Sequence, residues 1–124
     1  MTLAFWMILV AGILPYLAVG YAKYDPKFDN AAPRAFLDKQ TGAKQRAYWA
    51  HNNSFEIFPL FAAAVIIAHI SGADQFKTDL LAFGFIGSRV AYILAYIYNR
   101  PTLRSLIWSL GLACIVGLFT IASI

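Results

Sequence analysis

Four long apolar stretches separated by three polar breaks make up most of this chain, and they leave it very few folds. They run over residues 3–22, 42–71, 80–98 and 102–123. At 1.5 Å of rise per residue, each is long enough to cross a hydrocarbon core about 30 Å thick. In lipid a single segment satisfies its own backbone only as a helix. The expectation is therefore an all-α protein, a single four-transmembrane-helix bundle over residues 1–124. The composition agrees, since 60% hydrophobic and 13% charged residues fall outside the range of a soluble domain. The first segment lacks a charged leading region and a clear cleavage pattern, and is read as a retained helix.

The net charge of +4 does not point to nucleic acid, because the basic residues gather at the ends of apolar segments and not along one polar face. Residues 23–41 form a polar, proline-containing loop in which Pro33 to Gln40 suits a short surface helix. Lys23, Lys27, Arg34, Lys39, Lys44 and Arg46 belong to this loop and the start of the second helix. Arg100 and Arg104 flank the third turn, whereas the second loop holds only Lys77. By the positive-inside rule the first and third loops face the cytoplasm and both termini lie outside. Cys114 is the only cysteine, so no intrachain disulfide forms, and it reads as a small buried residue. His69 has no partner at metal-binding spacing, so no metal is expected.

Polar residues inside the spans carry the functional signal. Arg46, Asn53 and Glu56 are spaced seven and three residues apart, which places them on one helix face. An ionised carboxylate does not tolerate lipid, so Glu56 needs a cation. Arg89 is the one basic residue well inside a span, and its depth matches that of Glu56, which predicts a direct ion pair. Tyr92 and Tyr96 continue from Arg89 along the same face of the third helix. Arg104 adds a cation at the start of the fourth, while Asn99 or Thr102 is placed to cap that helix. Together Arg46, Arg89 and Arg104 against Glu56 suit a small anionic ligand bearing carboxylates and an amine. A network that only glues the helices together is the alternative reading.

Taken as a set, Arg46-x-x-x-Ala50-His51-x-Asn53-x-x-Glu56-x-x-Pro59, Arg89-x-x-Tyr92-x-x-x-Tyr96 and Pro101-x-x-Arg104-Ser105 resemble the MAPEG family, membrane-associated proteins in eicosanoid and glutathione metabolism. The Asp29-Asn30-x-x-Pro33-Arg34 loop is similar to its bacterial branch. The resemblance implies a homotrimer in a bacterial inner membrane, with glutathione as co-substrate held between subunits toward the cytoplasm. It implies glutathione contacts at Arg46, Asn53, Glu56, Arg89, Tyr92 and Tyr96, and catalytic roles for Arg104 at the thiolate and Ser105 beside it. The expected activity is a glutathione-dependent transferase with peroxidase activity, acting on lipophilic electrophiles or hydroperoxides that arrive through membrane lipid. Two positions depart from the pattern: Trp49 stands where many animal relatives carry arginine, and Ile57 where one branch has tyrosine. They keep a second reading open, a non-catalytic protein of the same fold that binds lipid or another small thiol.

Overall fold

The computed structural model describes residues 1–124 and contains five helices and no strands. They are α1 (Leu3–Lys23), the short α2 (Pro33–Asp38), α3 (Gly42–Ile70), α4 (Gln75–Ile97) and α5 (Pro101–Ala122). All but α2 are long and apolar enough to cross a membrane. Both α1 and α3 run unbroken through an internal proline, Pro15 and Pro59 respectively. The most extensive contacts join α4 to α5 and α1 to α3, and α3 touches every other helix.

Sharp turns set the helix ends. Gly72 at φ 70° and Asn99 at φ 56° each take the left-handed conformation that closes a helix. In each case the next residue's N–H reaches back five positions: Ala73 to the Ala68 carbonyl at 3.0 Å, and Arg100 to the Ala95 carbonyl at 2.9 Å. Asn99 thus terminates α4 and does not cap α5, whose N-cap is Arg100 with no side-chain bond. The third span starts at Gln75, not near residue 80 as the hydropathy predicts. Asp74 accepts the Lys77 N–H at 2.9 Å, which lets the polar Gln75–Asp79 segment enter the helix. One turn further along α4, Asp79 accepts the Ala4 N–H at 2.8 Å, so α4 caps the beginning of α1.

Twelve buried residues fill the half of the bundle near these capped ends, with Phe61 of α3 stacked on Phe85 of α4 at 4.0 Å between ring centroids. Small residues bring α4 and α5 close together. Gly111 lies against Ser88, and a Cβ there would meet the Ser88 Oγ at 2.7 Å. The other half holds two smaller clusters, built around Ala50 with Tyr92 and around Ala47 with Leu37. That half carries the polar layer.

Candidate functional site

Asn53, Ser54 and Glu56 come from the middle of α3, and Arg89, Tyr92 and Tyr96 from the second half of α4. Because α3 and α4 pack together, these residues meet in one layer. Arg89 is only 3% exposed. One of its terminal nitrogens, Nη2, donates to Asn53 Oδ1 at 3.0 Å and to Ser54 Oγ at 3.0 Å. Its guanidinium carbon lies 4.1 Å from the centre of the Tyr92 ring. A buried guanidinium over an aromatic face is stabilised by the ring quadrupole.

The expected direct Glu56–Arg89 pair does not form. Glu56 instead accepts from Asn53 Nδ2 at 3.3 Å, and Asn53 accepts from Arg89 through its other amide atom. The carboxamide therefore connects cation to anion, donating on one side and accepting on the other. Glu56 stays exposed at the surface of the protomer with carboxylate lone pairs free. Equal depth brought the two charges to one layer, but Glu56 turns outward where Arg89 turns inward.

Arg46 also departs from its predicted place. Its Nε donates to the Tyr96 and Ile97 carbonyls at 3.1 Å each, and its Nη2 to Ile97 at 2.9 Å. These are among the last carbonyls of α4, which lack helical donors. Arg46 thus ties α3 to the end of α4 and makes no ion pair with Glu56. Arg104 stacks on Tyr96 with its guanidinium carbon 4.4 Å from the ring centre, and Tyr96 meets Tyr92 edge-on at 5.6 Å. Ser105, the fifth residue of α5, is exposed, and its carbonyl accepts from Ser109.

Between these groups lies an open concavity of about 520 Å³, lined by Trp49, Asn52, Asn53, Glu56, Tyr92 and Tyr96. Its volume falls in the range of about 300–1,000 Å³ typical of small-molecule sites. One acidic group, two amides, two phenols and an indole surround it, with Arg104 behind Tyr96. That set can accept from an ammonium and hydrogen-bond peptide groups. No cluster of three metal-ligating side chains exists in the chain. A second cleft of about 550 Å³ adjoins it across Asn52, with Tyr16, Lys23, Arg34, Tyr48, His51 and Phe55 among its walls.

Three further residues shape this layer. Ser54 is buried and donates to the Ala50 carbonyl at 2.8 Å while receiving Arg89, a role hinted at only by its place beside the Asn53 stripe. Asn52, off the stripe, borders both cavities. His51 lies at a helix contact, its Nδ1 3.0 Å from the Pro15 carbonyl of α1. A carbonyl only accepts, so this contact puts the proton on Nδ1.

The model of the MAPEG family matches residues 2–124. No curated protein matches the chain.

Proposed function

The chain belongs to the MAPEG family, which includes glutathione transferases and related membrane proteins, and from that premise we propose that it is a membrane-bound glutathione-dependent transferase joining a thiolate to apolar electrophiles. The observation that carries this reading is the outward carboxylate of Glu56, held by Asn53 and backed by Arg89, at a concavity lined by Tyr92 and by Tyr96, on which Arg104 stacks. Glu56 accepts from the glutathione ammonium, and Asn53 and the two tyrosines bind along the peptide. Arg104 sits beside the sulfur.

The chemistry follows from that placement. A free thiol of pKa about 8.5 is mostly protonated at neutral pH. A guanidinium beside it stabilises the thiolate and so raises the fraction of nucleophile. The thiolate forms a C–S bond to the electrophilic carbon while the leaving group departs with its electron pair. With a hydroperoxide it attacks the outer oxygen, the O–O bond breaks and an alcohol leaves. A second glutathione then reduces the resulting sulfenic acid, giving glutathione disulfide and water.

We further propose that the working unit is a homotrimer in a bacterial inner membrane, with the site toward the cytoplasm. Glu56 and Asn52 are exposed on the protomer at a depth where lipid would be costly, and a neighbouring copy would cover them. The orientation rests on the basic residues gathered at the Lys23 and Arg100 end.

The test uses detergent-solubilised protein with glutathione and either chlorodinitrobenzene or a lipid hydroperoxide. Turnover is expected, and Arg104→Ala lowers kcat by roughly 100-fold, the scale of removing one preorganised charge-stabilising donor. Wild-type turnover no faster than Arg104→Ala would reject the enzyme. A second reading, non-catalytic lipid binding, draws support from Trp49, which is 44% exposed and presents an apolar wall to the concavity. Lipid retained without any thiolate absorbance on adding glutathione would select it.

A further inference from the structure

The Arg89 guanidinium is not fully satisfied by Asn53 and Ser54. Its Nε is buried and has no hydrogen-bond partner in the protein. A buried N–H without an acceptor is disfavoured, and more so on a charged group. Arg89 also borders a small space of about 10 Å³ between α1, α3 and α4, together with Ala11, Leu14, Pro15, Ser54 and Phe85. That volume is about one water-sized sphere.

Covalent structure supplies an independent reason for a polar occupant. Pro15 has no N–H, so the Ala11 carbonyl one turn earlier loses the donor that an α-helix would give it. Ala11 and Pro15 both border the same space. A donor without a partner and a carbonyl deprived of its helical N–H thus come from residues of two helices that line one space. Ser54 Oγ already accepts from Arg89 and donates to Ala50, and it keeps a lone pair for one more donor.

We propose that this space is a binding site for a single structural water, which accepts from Arg89 Nε and donates to the Ala11 carbonyl and to Ser54 Oγ. Three partners is the usual number for a buried water. Seated there, the water satisfies the buried Nε without any carboxylate. Arg89 then holds Asn53, and through it Glu56, in a fixed orientation. It also links the proline turn of α1 to the polar layer, which makes Pro15 a positioning residue. The inference does not depend on which ligand occupies the concavity outside.

The test is solution NMR of the detergent-solubilised protein labelled with ¹⁵N-arginine, with the Arg89 Hε signal identified by its loss in Arg89→Lys. The expected result is a dipolar cross-peak between Hε and water, of the sign given by a water that tumbles with the protein. An Hε with no such cross-peak, or with only a chemical-exchange peak from passing solvent, overturns the proposal. Pro15→Ala returns an N–H to the Ala11 carbonyl and competes with the water for that acceptor. With one of three partners contested, the cross-peak should weaken, and an unchanged peak would remove Ala11 and Pro15 from the site. A crystal structure checks the same point, because an oxygen within hydrogen-bond distance of Nε, Ala11 O and Ser54 Oγ is required.

Discussion

Toward Ser71 and Asp74 the helices meet through carbon, with Phe61 stacked on Phe85 and Gly111 tight against α4. Toward Lys23 and Arg100 they meet through arginine, amide and tyrosine, with Arg46 on the α4 carbonyls, Arg89 on Asn53 and Arg104 on Tyr96. The core of the apolar half buries no charge. The polar half keeps a carboxylate pointing outward that no cation neutralises directly. One half therefore fixes the register of α3 and α4, and the other uses that register to aim Glu56.

If the division holds, substitutions in the apolar half change stability, and those in the polar half change binding. Phe61→Ala should have the largest effect. Between helices that remain in lipid the water-transfer part of the loss is absent and the cavity part remains, so about 2 kcal/mol of stability is expected. Reversible unfolding in mixed micelles measures it. Glu56→Gln should leave that unfolding curve in place, because Gln keeps an acceptor for Asn53, while glutathione binding weakens about tenfold or about 1.4 kcal/mol. Isothermal titration reads the second change. A Glu56→Gln protein that unfolds as readily as Phe61→Ala would place the carboxylate among the structural groups and break the comparison.

A smaller effect tests how tightly the apolar half is built. Gly111→Ala puts a methyl 2.7 Å from Ser88 Oγ and should cost about 1 kcal/mol. Adding Ser88→Ala removes the obstructing oxygen, so the double variant should recover most of the loss. Independent, additive losses would show that α4 and α5 yield at this contact.

Much of this arrangement is legible in the sequence, and what is not legible shares one cause. Uninterrupted hydropathy marks the four spans, and equal distance from the basic ends puts Glu56 and Arg89 in one layer. Depth says nothing of azimuth, however. Three residues along a helix is 300° of rotation, so Asn53 can meet Arg89 while Glu56 turns outward. Arg46 reads as a ligand group because it precedes the motif on the same face. Its actual partners are backbone carbonyls of α4, visible only once α4 is known to end beside it. The Gln75–Asp79 segment reads as loop from its polarity, although Asp74 was available as a cap and Asp79 is used by α1.

Acid should separate the two halves once more, by the smallest margin. Asp25, in the loop between α1 and α2, accepts the Lys27 N–H at 2.8 Å and Gln40 Nε2 at 3.5 Å. The Lys27 N–H is the main reason its carboxyl is held below the ordinary value of 3.8, with Lys44 and Gln40 adding to it and partial desolvation opposing it. A carboxyl lowered in the folded state stabilises the fold above its unfolded pKa and loses that contribution as pH falls through the folded one. Asp25→Asn should therefore be slightly less stable than wild type at neutral pH, with the gap closing only below about pH 4. The deficit of Phe61→Ala contains no titrating group and should stay constant over the same range. A Phe61→Ala deficit that shrank in acid together with that of Asp25→Asn would mean the two ends unfold as one unit, and the aim of Glu56 would then depend on the loop as much as on the apolar half.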